Sequence, residues 1–222
     1  MSHVNSQEPV PEKQPTPPRE NVWGEILKTL GLSAILAFGI RTFVAEARYI
    51  PSRSMVPTLQ VDDRLIIDKV GYHFREPQRG DIVVFMPPDE AAVVCTTGPR
   101  PQPGSTSKDA YIKRIVALPG ETVEVRQGKV LINGQVLQEN YLQEVPDYEY
   151  GPRIVPENSY LVLGDNRNNS CDSHYWGFVP RQNIIGRAVV RFWPLNRVGG
   201  ISTTTAPTAA TPPSVPPTPI PQ

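Results

Sequence analysis

Proline is spread so unevenly along this chain that it partitions the sequence before any hydrophobic pattern is read. There are 26 prolines in 222 residues, more than twice the usual share of about 5%. Five fall in residues 1–20 and seven in residues 201–222. Proline lacks a backbone donor and fixes φ, so helix interiors and central strands exclude it. The C-terminal run ISTTTAPTAATPPSVPPTPIPQ also carries no charge and few large apolar side chains. It buries too little surface to offset the entropy of ordering it. Both ends, 1–21 and 199–222, are therefore expected to be disordered, the tail with polyproline II character. The tail is either a ligand for a Pro-binding domain or a solvated extension, and composition favours the second.

The chain as a whole is charge-balanced, with 22 Lys+Arg against 22 Asp+Glu. That balance excludes non-specific nucleic-acid binding, which needs a cationic surplus to displace counterions. Two cysteines exclude a disulfide-dense scaffold and a four-cysteine zinc site. Three histidines leave little for a metal centre, and no metal or organic cofactor is expected.

Residues 22–47 read VWGEILKTLGLSAILAFGIRTFVAEA, with no charge between Lys28 and Arg41. A helix over this segment is long enough to cross a bilayer, which takes about 20 residues at 1.5 Å each. Lys28 and Arg41 would reach the two interfaces by snorkelling, and Trp23 suits the headgroup level. A cleavable signal peptide is a second reading, because Ala45-Glu46-Ala47 has the small-x-small form of a cleavage site. Its long, Glu- and Pro-containing leader argues against that. A buried core helix is the third. An uncleaved single-pass anchor fits the span and its flanks best, and flanking charge leaves its orientation open.

From residue 48 to 198 the pattern changes to short runs rich in Val and Ile, bounded by turn residues. Strands are expected at 64–70, 81–86, 111–118, 122–126, 129–132, 160–164 and 187–193. Arg126-Gln-Gly-Lys129 and Asn133-Gly134 read as hairpin turns. No long amphipathic helix period follows residue 47. The expected body is one mostly-β domain of about 150 residues, enough for a single core. Residues 87–109 read as an exposed, turn-rich excursion.

Four segments carry more chemistry than a β scaffold needs. In Ile50-Pro-Ser-Arg-Ser-Met-Val-Pro-Thr-Leu59, two prolines frame a turn that holds two serines. Such serines either aim at a substrate or bond locally. In Tyr111-Ile-Lys-Arg-Ile-Val-Ala-Leu-Pro-Gly120, strand alternation sets Lys113 among apolar neighbours. A buried lysine loses its proton readily and becomes a competent base, whereas an edge lysine only guards against aggregation. Gly164-Asp-Asn-Arg-Asn-Asn-Ser-Cys-Asp-Ser-His-Tyr-Trp-Gly177 is too polar for a core and reads as a hydrogen-bonded loop network. Arg79-Gly-Asp-Ile-Val-Val-Phe85 reads as a turn feeding a scaffold strand.

In order and wording these segments (SRSMVPTL, RGDIVVF, YIKRIVALPG, GDNRNNSCDSHYWGFVP) resemble bacterial type I signal peptidase, from about Ile40 to Leu195. The resemblance implies a coiled antiparallel β-sheet catalytic domain after one N-terminal transmembrane helix. It implies a membrane-anchored serine endopeptidase that removes signal peptides from translocated precursors after Ala-x-Ala-like sites. The implied nucleophile is Ser54 and the implied general base Lys113, with Ser52 and the Ser54 backbone N–H as the oxyanion hole. Ser170 would orient the lysine, and Asp172 would support the site. Ile50, Met55 and Ile112 would line pockets for small side chains. The implied partners are precursor proteins and the lipid bilayer, with the domain on the extracytoplasmic side of a plasma or internal membrane. Residues 121–158 would be a reduced, cap-like hairpin region. Arg53 stands where many members have Gly, Cys171 where a small residue is usual, and His174 where many have Arg, which leaves open what cation holds Asp172.

Two rival functions have residues to support them. A Ser–His–Asp hydrolase would pair Ser54 with His174 or His73. A non-catalytic anchored β-domain would bind partners, but it would have no need of Ser54 and Lys113. Cys95 and Cys171 are candidates for a disulfide in an oxidising compartment, and their spacing alone does not determine the pairing.

Overall fold

The structure, a computed structural model, describes residues 22–97 and 109–201. The disorder expected of 1–21 and of most of 199–222 lies outside the described residues. So does 98–108 of the expected excursion. The tail is ordered at its start, against expectation. Gly199 and Gly200 pair with Arg191 and Val190, and the Ile201 N–H donates to the Val189 carbonyl at 2.9 Å. Backbone groups can be satisfied by a neighbouring strand whatever the side chains. Contacts divide the chain between Gly39 and Ile40.

The first unit holds helix α1, Val22–Gly39. It contains no proline, and Lys28 pairs with Glu25 one turn earlier at 3.0 Å. Trp23, Leu32, Ile35 and Phe38 are all exposed. A helix that is apolar all round and uncovered matches a membrane span by length and composition. The helix expected over 22–47 ends early. Gly39 is a poor helix former, and β-branched Ile40, Thr42 and Val44 follow it. Ile40–Val44 forms a π-helical stretch, and Ala45–Tyr49 is a strand, β1. The cleavage-site-like Ala45-Glu46-Ala47 thus lies in a ladder, opposite Asp68, Ile67 and Ile66.

The second unit is mostly β, and its ladders are antiparallel. Its larger sheet contains β1, β2 (Arg64–Asp68), β3 (Ile82–Phe85) and β4 (Tyr111–Ala117). It also contains β9 (Ser159–Leu163), β10 (Val179–Pro180), β11 (Ile184–Trp193) and β12 (Gly199–Gly200). The order is β1-β2-β11-β3-β4-β9-β10, with β12 beside β11. Strand β3 is buried at every position, as the all-apolar run IVVF requires of a strand covered on both faces.

The smaller sheet has the order β7-β6-β5-β8. It is built from β5 (Thr122–Arg126), β6 (Lys129–Ile132), β7 (Gln135–Val136) and β8 (Tyr150–Ile154). The region read as a cap-like hairpin is therefore a four-stranded sheet. Gln127 and Gly128, and then Asn133 and Gly134, all have positive φ, as two-residue hairpin turns of this hand demand. Strand β8 escapes detection in the sequence because it carries Gly151 and Pro152, which an edge strand tolerates.

Within the expected excursion, Asp89–Thr97 forms a helix, called α3 here after the short α2, Gly71–Phe74. Its Ala91 and Cys95 are fully buried against Phe85, Trp176 and Val179. Cys95 is joined to Cys171 by a disulfide with Cα atoms 5.7 Å apart, so the pairing left open by spacing is made. The bond closes a loop across 76 positions. The double replacement Cys95→Ser, Cys171→Ser is expected to lower unfolding stability by roughly 2–4 kcal/mol, read from the urea midpoint of the full chain in detergent.

Candidate active site

The Pro-framed turn that carries Ser54, the candidate nucleophile turn, leaves β1 at Tyr49 and is held at both ends. The Ile50 N–H donates to the Asp63 carbonyl and the Asp62 N–H to the Ile50 carbonyl, each at 2.9 Å. Beneath it, Ile50, Met55 and Leu59 pack with Leu65, Ile67, Ile82, Val84 and Ala188. Ser54 is fully buried on this layer. Its Oγ lies 3.3 Å from Ser52 Oγ and accepts a 3.0 Å hydrogen bond from Lys113 Nζ.

Lys113 reaches the serine from β4, where it stands opposite Val83 of β3. Its Nζ also donates to the Ile112 carbonyl at 3.0 Å. The side chain is 3% exposed. Burial pushes its ammonium down to about 8, and the negative charges of Asp172 and Asp165 oppose this only in part. A serine hydroxyl and a buried amine held at hydrogen-bond distance have the geometry that a nucleophile–base pair requires.

The polar loop 164–177 encloses the turn from the other side. Gly164 is wedged in place: a Cβ there would lie 2.3 Å from Ser170 Oγ and 2.4 Å from the Ser54 carbonyl oxygen. Asn166 clamps the turn, its N–H donating to the Ser54 carbonyl at 3.0 Å and its Nδ2 to the Arg53 carbonyl at 3.1 Å. Asp165, beside it, receives a bidentate fork from Arg114, at 2.8 and 2.7 Å, and a hydrogen bond from Thr58. Arg167 is held by both oxygens of Glu139 at 2.7 and 2.6 Å. Gly164, Asn166, Arg114 and Arg167 were not singled out from the sequence. The polar density of the segment announced a network, but one-dimensional order does not say which charge meets which.

Asp172 is fully buried and caps α4, Ser173–Trp176. Its Oδ2 accepts the Gly164 N–H at 2.8 Å, and its Oδ1 lies 2.7 Å from His174 Nδ1. Burial alone would raise its pKa. The His174 ring and the Gly164 N–H outweigh burial and hold the carboxyl below its ordinary value. Ser170 Oγ is buried without a partner of normal hydrogen-bond geometry, and it adds to the groups that lower the Asp172 pKa. The bonds that orient Lys113 run to Ser54 and Ile112.

Of the three expected pocket residues, Ile50 and Met55 are buried in the layer under the turn, and Ile112 is half-buried beside it. Two strand edges without a ladder partner among the described residues flank the turn. Strand β1 ends the larger sheet, and β4 pairs with β9 only from Arg114 onward, through Ala117. The histidine alternatives find no support in the geometry. Ser54 Oγ meets Lys113 and Ser52, whereas His174 Nε2, the nitrogen a Ser–His–Asp triad turns to the serine, has no hydrogen-bond partner among the described residues, and His73 is an exposed residue of α2. Among the described residues no cluster of His, Cys, Asp and Glu could hold a metal ion.

Comparison with known proteins points the same way. The family model described as "Signal peptidase, peptidase S26" matches residues 23–193. A signal peptidase I from Leptolyngbya laminosa is 58% identical over 200 residues, covering 87% of this chain and 94% of the relative. The thylakoidal processing peptidase 1 of Arabidopsis thaliana is 43% identical over 80% of this chain and 51% of its own length. Signal peptidase I P of Bacillus subtilis subsp. natto is 32% identical over 78% of this chain and 90% of the relative. The match spans the nucleophile turn, the lysine strand and the polar loop alike, and the chain belongs to the type I signal peptidase family of serine endopeptidases.

Proposed function

We propose that this chain cleaves signal peptides from translocated precursors by a Ser54–Lys113 dyad, after Ala-x-Ala-like sequences. The observation that carries the reading is the 3.0 Å bond between a buried lysine amine and a buried serine hydroxyl. Neutral Lys113 takes the Ser54 proton as Oγ attacks the scissile carbonyl, forming the tetrahedral intermediate. The resulting ammonium gives that proton to the leaving amine as the C–N bond breaks and the acyl-enzyme forms, and water, deprotonated by Lys113, then hydrolyses the ester and frees Ser54. The oxyanion is received by the Ser54 N–H and the Ser52 hydroxyl, which lies at the same turn. An extended stretch of precursor lies along the edges of β1 and β4, and small side chains are selected by exclusion of larger ones. The all-round apolar α1 is the single-pass anchor, and the catalytic unit stands on the extracytoplasmic side, where precursors emerge. Exposed Tyr49 and Trp193 are side chains suited to the headgroup level.

The test is cleavage of a synthetic precursor by the full chain in detergent. Ser54→Ala is expected to be inactive with its circular dichroism unchanged. For the wild type, kcat/KM is expected to rise with pH through a limb centred near 8. The sign follows from the base: below that pH Lys113 carries its proton and cannot accept another. A limb near 6.5, the ordinary histidine value, or cleavage by Ser54→Ala, would refute the dyad.

A further inference from the structure

The direction of the Ser54 N–H is set by a single peptide group. That N–H and the Arg53 carbonyl lie in one rigid plane, so whatever fixes the carbonyl also aims the N–H. Two donors meet the Arg53 carbonyl, the Val56 N–H at 3.1 Å, which closes the turn, and Asn166 Nδ2 at 3.1 Å. The Ser54 N–H itself meets no acceptor among the described residues, so it is available to an oxyanion. On the far side of the Ser54 Cα, the Ser54 carbonyl accepts the Asn166 N–H at 3.0 Å. One residue thus holds both peptide groups that flank Ser54, and with them its φ and ψ.

The local structure around Asn166 gives its side chain no other task. It stands at the N-cap of the short 3-10 turn Arg167–Asn169, where an asparagine side chain ordinarily accepts a backbone N–H of the first turn. It makes no such bond and reaches across 113 positions to Arg53 instead. Its own backbone is fixed between two buried ion pairs. Asp165 lies in the fork of Arg114, and Arg167 is held by both oxygens of Glu139. A hydrogen bond donated to a carbonyl polarises the whole peptide group and makes its N–H a stronger donor.

We propose that Asn166 is a positioning residue for the oxyanion hole, its amide aiming and polarising the Ser54 N–H at the oxygen that becomes charged in the tetrahedral intermediate. The inference rests on the dyad reading. The ground-state carbonyl carries no full charge, so the amide acts on the transition state far more than on substrate binding, and its loss lowers kcat and spares KM. The hydrogen bonds of Lys113 run to Ser54 Oγ and the Ile112 carbonyl and do not involve Asn166, so the acid limb of the rate stays in place.

The experiment measures kcat and KM for a synthetic precursor across pH, with the full chain in detergent, for wild type, Asn166→Leu, Asn166→Ser and Ser54→Ala. Leucine keeps the shape of asparagine without a donor. Serine is a good N-cap for the turn but too short to reach Arg53. Both variants retain the backbone N–H at 166 and the Val56 bond that closes the turn, so circular dichroism is expected to be unchanged. Each is expected to lose at least about tenfold in kcat, short of the roughly hundred- to thousandfold cost of deleting an oxyanion donor outright. KM is expected to stay within about twofold of wild type, and the acid limb to stay near 8. A peptide boronic acid ending in Ala-x-Ala bonds to Ser54 Oγ through boron and becomes a tetrahedral anion, while Lys113 takes the proton. Its affinity is expected to fall in step with kcat. Wild-type kcat in Asn166→Leu, a rise in KM in place of the loss in kcat, or a displaced acid limb overturns the proposal, and Asn166→Ser decides it should Asn166→Leu fail to fold. If Ser54→Ala cleaves, the dyad reading fails. If it is inactive while the Asn166 variants keep the wild-type kcat, only the role of Asn166 fails.

Discussion

Replacing Lys113 with methionine is expected to lower kcat/KM for precursor cleavage by at least about a thousandfold, within the range attributed to a positioned general base. Methionine matches the length of the lysine stem, so it keeps the packing of β4 and leaves no charge behind in a site that is 3% exposed. What is lost is the amine 3.0 Å from Ser54 Oγ. At neutral pH an unaided serine hydroxyl holds its proton and is a weak nucleophile. Because burial pushes the ammonium down, removing it does not destabilise the fold, and the urea midpoint is expected to hold or rise. Cleavage near the wild-type rate would refute the assignment of Lys113 as the base, whatever happens to Ser54.

Asp165→Asn is expected to have the largest effect on stability, a loss of about 3–5 kcal/mol, the usual cost of leaving one partner of a buried ion pair uncompensated. Arg114 and Asp165 are 1% and 0% exposed in their side chains, and both guanidinium bonds to the carboxylate are made. The amide leaves the Arg114 charge with the Gly80 carbonyl as its remaining strong acceptor. The double variant Arg114→Met, Asp165→Leu removes both charges and is expected to be markedly less destabilised. Urea unfolding of the three proteins tests the pair. The same substitution also disturbs Asn166, whose two bonds clamp the nucleophile turn, so activity is expected to fall along with stability.

Much of the candidate site was legible because its chemistry resides in residue types that a scaffold has little reason to place there. Two serines inside a Pro-framed turn and a lysine in an apolar strand run were candidates on residue type, the family resemblance singled out Ser54 and Lys113 among them, and the structure brings these two side chains together although they are 59 positions apart. The hairpin turns were legible because Asn-Gly and Gln-Gly accept positive φ and few other pairs do. The early end of α1 was missed because an apolar run does not reveal where a helix gives way to a ladder. The backbone of 45–49 is satisfied by β2, which lies beyond the nucleophile turn in sequence. Helix α3 was missed because only Ala91 to Val94 is apolar, and its place depends on a core made by distant strands. The depth of Ile50 and Met55 was likewise invisible, since local sequence does not say which face of a turn is covered.

The sequence by itself determined the mostly-β class and supplied the candidate reacting groups. Strand alternation and side-chain chemistry are local properties, and each can be read one segment at a time. Tertiary structure alone decided the depression of the Lys113 pKa, the Cys95–Cys171 pairing and the partners of Asp165 and Asp172. Each depends on desolvation and on distances of a few ångströms between segments remote in sequence, and those exist only once the strands have assembled.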